Sequence, residues 1–200
     1  EIVSDDDGIH ADYKLDITGG YIVIKESYEA IEGNIITFNG GVVEANASDD
    51  GINATNKIED AYIYFKSGTV YVNASGDGLD SNGYIVMTGG NVIAIGPTDG
   101  GNGILDFDNT FKMTGGNLLL AGCSGMDQKP TLASSVSGSV MRQSNTYGRY
   151  LILTVDSKLT LELYVSKNNI NYIVYAGYGK SSSVSINSTS SFSGNIYGVA

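Results

Sequence analysis

The chain has 200 residues, 42% of them apolar, which is enough for one domain with a continuous core. Its apolar runs are only a handful of residues long, which excludes a transmembrane helix. The net charge of -11 makes nucleic acid and anionic membrane surfaces poor partners, because phosphate binding requires Lys and Arg. One cysteine, Cys123, excludes an intramolecular disulfide and a cysteine-rich zinc site.

Two short motifs alternate along the first 122 residues. The first is a glycine doublet, found as Gly19-Gly20, Gly40-Gly41, Gly89-Gly90 and Gly115-Gly116, with a degenerate copy at Ser67-Gly68. The second is Asp-Gly before an aliphatic residue, found as Asp7-Gly8-Ile9, Asp50-Gly51-Ile52 and Asp77-Gly78-Leu79, with weaker copies at Glu29-Ala30-Ile31 and Ile104-Leu105. Their nearly constant spacing defines a unit of about 21 residues, which is typical of solenoid repeats.

Apolar residues alternate with polar ones in three short segments of each unit, which predicts three short strands per turn. We expect an all-β fold, a right-handed parallel β-helix with three strands per coil and about five coils. The glycine doublets would form tight corners with positive φ. A leucine-rich repeat would need a leucine-dominated core, and helical repeats would need a longer 3.6-residue periodicity. Residues 57–60 and 97–100 interrupt the spacing and are interpreted as inserted loops.

The repeat weakens after residue 122, where Ser, Asn and Thr surround strand-like segments at 150–155, 159–165 and 172–176. We predict that residues 1–122 form the β-helix and residues 123–200 a C-terminal antiparallel β cap, because a solenoid end exposes an open edge.

Acidic residues recur at fixed positions around the aliphatic residue of the second motif. Two positions before it lie Asp7, Glu29, Asp50 and Asp77; one after it lie His10, Glu32, Asn53, Asp80 and Asp106; three after it lie Asp12, Asn34, Thr55, Asn82 and Asp108. The last two columns should point outward, which places Asp80, Asn82, Asp106 and Asp108 in a square on neighbouring coils. Stacked carboxylates repel unless a cation neutralises them, and Ca²⁺ takes six to eight oxygen ligands.

We therefore predict bound Ca²⁺, with these columns as its candidate ligands. The alternative is that Asp and Asn occupy these positions because they tolerate turn geometry. Zinc is not expected, because His10 is the only histidine and is most simply an outward member of its column.

Catalytic candidates are few. A Ser-His-Asp triad is not suggested by the surroundings of His10. Elimination of the pectate type needs a base near the metal, for which Lys57 and Lys66 are weak candidates, each more simply a surface lysine. Among the 14 tyrosines, Tyr21, Tyr64, Tyr71 and Tyr84 fall on or near outward positions and could contact sugar rings, although cross-strand packing also explains them.

Several stretches together resemble the bacterial carbohydrate-binding β-helix proteins related in fold to polysaccharide lyases, a family with a clostridial cellulose- and acid-sugar-binding member. They are residues 4–12, 48–54, 77–83 and 103–109, followed by Ser124-Gly125-Met126-Asp127-Gln128 as the exit from the last coil. The resemblance implies an extracellular or cell-surface, calcium-containing right-handed β-helix that binds plant cell-wall polysaccharide. It carries over as metal candidates Asp7, Asp12, Asp50, Asp80, Asp106 and Asp108, whereas Asn34 and Thr55 replace acids.

Three functions remain open from the sequence. The first is a non-catalytic binding protein for cellulose or for an acidic polysaccharide such as polygalacturonate, with Ca²⁺ between protein and uronate carboxylates. The second is a calcium-dependent polysaccharide lyase of the pectate type. The third is a structural or adhesive surface protein that calcium only stabilises.

Overall fold

A computed structural model describes residues 1–142, 150–155, 159–164, 167, 169–177 and 184–189. These residues contain strands and no helix. The strands are β1 (Ile2–Val3), β2 (Ile9–Glu26), β3 (Ile31–Ala47), β4 (Ile52–Ala54), β5 (Ala61–Ala74), β6 (Leu79–Ser81), β7 (Gly83–Met87), β8 (Asn91–Ile95), β9 (Leu105–Phe107), β10 (Thr110–Met113), β11 (Asn117–Gly122), β12 (Thr131–Leu132), β13 (Gly138–Arg142), β14 (Tyr150–Val155), β15 (Leu159–Tyr164), β16 (Tyr172–Ala176) and β17 (Val184–Thr189).

The predicted parallel β-solenoid is confirmed. Its turns stack into three parallel faces, which we name the first, second and third sheets in the order in which each turn visits them. The first sheet pairs residues 9–11, 31–33, 52–54, 79–81 and 105–107. The second pairs residues 14–17, 35–38, 62–65, 84–87, 110–113 and 131–132. The third pairs residues 2–3, 21–24, 42–47, 69–74, 91–95 and 117–121.

The solenoid has about six turns, compared with the five predicted. The difference comes from the two ends of the solenoid. Strand β1 adds a parallel partner to the start of the third sheet, and β12 adds one to the end of the second. The handedness of the coil stays a prediction.

The core is a set of ladders in which like residues stack from turn to turn. On the second sheet, Phe38 lies directly over Phe65 with ring centroids 5.1 Å apart and planes 13° apart. Met87 and Met113 continue the same ladder. All four side chains are buried, so each turn contributes apolar surface that only its neighbours can cover.

The second glycine of each doublet forms the corner between the second and third sheets, with a positive φ as predicted. At Gly68, φ is 88°, and a Cβ atom would lie 2.6 Å from the carbonyl oxygen of Gly41 on the neighbouring turn. Glycine is therefore required here by both backbone conformation and stacking distance.

Strand β16 runs antiparallel to β11, the last parallel strand of the third sheet, and β13 pairs with β16 in turn. Strands β14, β15 and β17 form a separate antiparallel sheet in the order β15-β14-β17. The role of these strands as a cap, and the division of the chain at residue 122, stay predictions. The predicted strand end at Val165 lies outside the described residues. The described part contains no helix long and apolar enough to cross a membrane.

Candidate functional site

Two of the acidic columns lie in register on either side of the Asp-Gly corner. On the first sheet the pairing joins His10 to Glu32, Glu32 to Asn53, Asn53 to Asp80 and Asp80 to Asp106. Before the corner, backbone hydrogen bonds join the turns at Asp7, Glu29, Asp50 and Asp77. The two columns face each other across the corner, so their side chains converge.

The columns converge at Asp50, Asp77 and Asp80, each of which offers a carboxylate oxygen within 4.8 Å of the others. Backbone groups position two of them. The N–H of Asp77 donates to Oδ1 of Asp50 at 2.7 Å, and the N–H of Gly103 donates to Oδ1 of Asp77 at 2.5 Å. One oxygen on each of these carboxylates is thereby fixed by the fold.

Burial makes this group costly to ionise. Desolvation, followed by the neighbouring carboxylates, raises the pKa of Asp80 to about 8 and that of Asp50 to about 6, and it also raises the pKa of Asp77. A proton or a cation is therefore needed to keep the three carboxylates together near neutral pH.

Two more oxygens come from Asn53, on the turn of Asp50, and from Glu29, on the turn before it. Nδ2 of Asn53 donates to Oε1 of Glu29 at 2.9 Å, and burial raises the pKa of Glu29 to about 7. Oε2 of Glu29 and Oδ1 of Asn53 are buried and have no hydrogen-bond donor in the described part of the chain. Such acceptors carry a desolvation cost that a bound cation would remove.

These observations fit the donor chemistry of Ca²⁺. Carboxylate and amide oxygens are the ligands that this ion prefers, and the soft ligands that zinc prefers are absent from this group. Asp50, Asp77 and Asp80 would hold it, with Asn53 on the turn of Asp50 and Glu29 on the turn before.

A second group, formed by Asp7, His10 and Glu32, is neutralised differently. Nδ1 of His10 lies 3.0 Å from Oδ2 of Asp7 and 2.5 Å from Oε2 of Glu32, and Nζ of Lys57 donates to Oε1 of Glu32 at 2.8 Å. Asp12, on the other side of the imidazole, is 97% exposed and 3.3 Å from Nε2. The protein's own cations therefore occupy the position that a metal ion would take.

Each of the two lysines considered as a catalytic base contacts another side chain. The hydrogen bond from Lys57 to Glu32, followed by the charge of Glu32, raises the pKa of Lys57, so its ammonium stays protonated at neutral pH. Nζ of Lys66 lies 5.3 Å from the ring centroid of Tyr64, an exposed cation–π contact on the second sheet.

The members of the predicted square, Asp80, Asn82, Asp106 and Asp108, lie in different surroundings. Asp80 and Asp106 are adjacent in register, but Oδ1 of Asp106 accepts a hydrogen bond from Nε2 of Gln128 at 2.7 Å. Asp108 is exposed and Asn82 is partly exposed. Sequence reasoning missed Gln128 as a member of this site, although it lies in the stretch quoted as the coil exit.

One member of the third column is not outward, contrary to the prediction. Asn34 is 1% exposed, and its Nδ2 donates to the carbonyls of Thr55 and Glu59, each at 2.8 Å. Its Oδ1 accepts from the N–H of Glu59 at 3.0 Å. The pairing of the first sheet ends at Gly33 and that of the second begins at Ile35, so Asn34 lies at the corner between them. The period of two does not apply at this corner, and Asn34 anchors the inserted loop instead.

The four tyrosine candidates lie on two different sheets. Tyr64 and Tyr84 lie on the outward face of the second sheet, and Tyr21 lies on the third, where it is 64% exposed. The prediction for Tyr71 is wrong as regards access. This residue is on the outward face of the third sheet, but it is only 6% exposed.

Sequence reasoning missed Tyr62, which lies between the two candidates of the second sheet. Its ring is parallel to that of Tyr64 (centroids 5.2 Å apart, planes 4° apart) and nearly parallel to that of Tyr84 (4.8 Å, 16°). The signal was present in the sequence, because Tyr62 precedes Tyr64 by two residues and shares its face.

The fold and the acidic columns define an all-β protein of the parallel solenoid class with a carboxylate-lined corner. A family model described as carbohydrate-binding domain-containing protein matches residues 1–145. The chain belongs to this family, and the match supports carbohydrate binding as its function. No curated protein and no solved structure gives a significant match.

Proposed function

We propose that this protein is a non-catalytic, extracellular or cell-surface binding protein for plant cell-wall polysaccharide. In this proposal, Ca²⁺ bound by stacked carboxylates bridges the protein and its acidic ligands. The single observation that supports the calcium part is the convergence of Asp50, Asp77 and Asp80 at one corner, within a family named for carbohydrate binding.

The charge of the solenoid argues for an ion between protein and uronate. Nineteen of the 22 acidic residues precede residue 127, so a polygalacturonate chain would be repelled by the solenoid itself. A divalent cation held at the corner offsets this repulsion locally and can share its remaining coordination positions with a uronate carboxylate. A neutral polymer such as cellulose needs no such ion.

The experiment is depletion of the protein from solution by insoluble cellulose and by immobilised polygalacturonate, each with Ca²⁺ and with chelator. We expect retention on both polymers in Ca²⁺ and loss from polygalacturonate alone in chelator. Extracellular calcium modules bind their ion at about 10⁻⁴–10⁻³ M, so millimolar Ca²⁺ is the appropriate condition.

A pair of variants tests the assignment of the ion to this corner. Asp80→Asn removes one carboxylate of the group and should weaken calcium-dependent retention on polygalacturonate. Asp16→Asn changes an exposed carboxylate outside the acidic columns and should leave retention unchanged.

Other outcomes select the remaining functions. Retention on neither polymer would refute carbohydrate binding of this kind, and a melting shift with Ca²⁺ in that case would favour a structural or adhesive role. Release of ultraviolet-absorbing unsaturated uronates would indicate a lyase. Retention on polygalacturonate in chelator would refute the bridging ion.

A further inference from the structure

The second sheet carries a surface unlike the acidic corner. Tyr62, Tyr64 and Tyr84 form a stack of three nearly parallel rings on its outward face. All three side chains are partly exposed. No hydrogen bond to another described residue engages their hydroxyl groups. The stack therefore presents ring edges and hydroxyls to solvent, while the faces of Tyr62 are covered by its neighbours.

Beside this stack lies an open groove of about 630 Å³, lined by Ile35, Glu59, Asp60, Tyr62 and Tyr64. Its floor is sheet, because Ile35 and Tyr62 are direct partners on neighbouring turns. Its wall is the inserted loop that ends at Asp60. The insertion thus converts a flat solenoid face into a concave one.

Side-chain hydrogen bonds fix the position of the loop that forms this wall. Asn34 makes three hydrogen bonds to the backbone of Thr55 and Glu59 from a buried position. The hydroxyl of Tyr13 donates to Oε1 of Glu59 at 2.6 Å and ties the wall to the first turn. A groove with fixed walls loses little conformational entropy when a ligand enters it.

The lining combines apolar surface with hydrogen-bond acceptors and contains no cation. Glu59 and Asp60 can accept hydrogen bonds from hydroxyl groups, and the tyrosine hydroxyls can both donate and accept. A uronate chain would meet two carboxylates here at close range and would be repelled. An uncharged polyhydroxyl chain satisfies the acceptors and covers the apolar surface with its C–H groups.

We propose that this groove binds a neutral β-glucan chain of the cellulose type, separately from the calcium-dependent binding of acidic polysaccharide at the Asp50–Asp77–Asp80 corner. The assignment rests on the proposed function and divides its two ligand classes between two surfaces. Glu59 and Asp60 orient the chain through its hydroxyls, and Tyr62 contacts it through its edge and hydroxyl.

The test uses cellohexaose as the probe, with isothermal titration calorimetry on the full chain. Tyr62→Phe removes one hydroxyl and keeps the ring stack, and Glu59→Gln removes a charge while keeping an acceptor for Tyr13. Each should weaken binding about fivefold, the effect of losing one hydrogen bond to the ligand. Tyr28→Phe, at an exposed tyrosine between β2 and β3 that does not line the groove, is the matched control and should bind like the wild-type protein.

Depletion by the two polymers separates this inference from the proposed function. The groove variants should lose retention on cellulose and keep calcium-dependent retention on polygalacturonate. Unchanged cellohexaose binding by both variants, or equal loss on both polymers with unchanged melting temperatures, would overturn the groove assignment while wild-type retention upholds the proposed function. A wild-type protein that neither polymer retains would refute the proposed function, and the groove assignment with it.

Discussion

Oε2 of Glu32 lies 2.5 Å from Nδ1 of His10 on the preceding turn, while Oε1 of the same carboxylate accepts from Lys57 at 2.8 Å. The acidic columns are thus neutralised at their beginning by the protein's own cations. In the described residues no such ion pair reaches Asp50, Asp77 or Asp80 further along. We therefore expect the beginning of these columns and the Asp50–Asp77–Asp80 group to respond differently to pH and to a cation.

The first prediction concerns His10. Burial lowers its pKa, but the hydrogen bonds with Asp7 and Asp12 and the charges of Glu32 and Asp7 raise it more, so the pKa lies above 6.5. A raised histidine pKa stabilises the folded state below about pH 6.5 and ceases to do so as the pH rises through the folded value. His10→Gln should therefore lose up to about 1 kcal/mol at pH 5.5 and almost nothing at pH 9.

Urea unfolding at the two pH values measures this difference. Lys57→Met is the matched control, because its ammonium is charged at both values and its loss should weaken folding equally at each. An equal effect of His10→Gln at both pH values would contradict an ion pair between His10 and the carboxylates.

The second prediction concerns Asp80 in the presence of chelator. Its folded pKa of about 8 lies far above 3.8, so the folded state binds the proton more tightly than the unfolded state does. Its contribution to stability is complete below about pH 4 and is lost as the pH rises through about 8. Asp80→Asn should therefore stabilise the metal-free protein at pH 8, by on the order of 2 kcal/mol, and change little at pH 4.

Thermal unfolding with chelator and with Ca²⁺ tests both halves of this argument. In Ca²⁺ we expect Asp80→Asn to lower the melting temperature instead of raising it. The variant lacks a ligand and therefore gains less stability from the ion than the wild-type protein. Destabilisation by Asp80→Asn in chelator at pH 8 would show that the charged carboxylate of Asp80 does not destabilise the folded state.

The third prediction concerns Asn34, which supports the groove wall. Asn34→Ala removes three hydrogen bonds and leaves the carbonyls of Thr55 and Glu59 without their donor. We expect a loss of about 2–4 kcal/mol in the free energy of unfolding. Asn39→Ala is the control: its single bond to Asp16 is exposed and 3.4 Å long, and its loss should cost under about 0.5 kcal/mol. Equal stability of the two variants would contradict the anchoring role.

The fourth prediction separates backbone strain from stacking at the glycine corners. Gly20 and Gly68 have the same φ of 88°, but a Cβ at Gly20 meets nothing within 4 Å, whereas one at Gly68 lies 2.6 Å from the carbonyl oxygen of Gly41. Gly20→Ala should cost about 1–2 kcal/mol, the price of the left-handed conformation. Gly68→Ala should cost at least about 2 kcal/mol more, because two turns must separate. Chemical denaturation of both variants measures the difference, and equal losses would show that stacking adds nothing.

Much of the solenoid follows from the sequence because its structure repeats locally. The distance from a glycine doublet to the next aliphatic residue sets the length of a turn, and alternation within each segment sets which side chains enter the core. The register of His10, Glu32, Asn53, Asp80 and Asp106 follows from these two facts alone. The same alternation also predicts the outward position of Tyr62, two residues before Tyr64.

Other features depend on contacts between segments that the repeat does not describe. Tyr71 has an outward position by periodicity, yet it is only 6% exposed. Asn34 is buried and anchors an insertion 21 to 25 residues later. That insertion follows no period, so the repeat alone does not predict this contact.

The metal candidates show the same division. The sequence by itself determined which turns carry acids and in which column, since position within a repeat is a local property. Only the tertiary structure decided which carboxylates meet Asp80: they are Asp50 and Asp77, and not Asp106 and Asp108. The corner brings two columns together, and the direction in which a side chain leaves a corner depends on the backbone path and on burial, not on the spacing of residues along the chain.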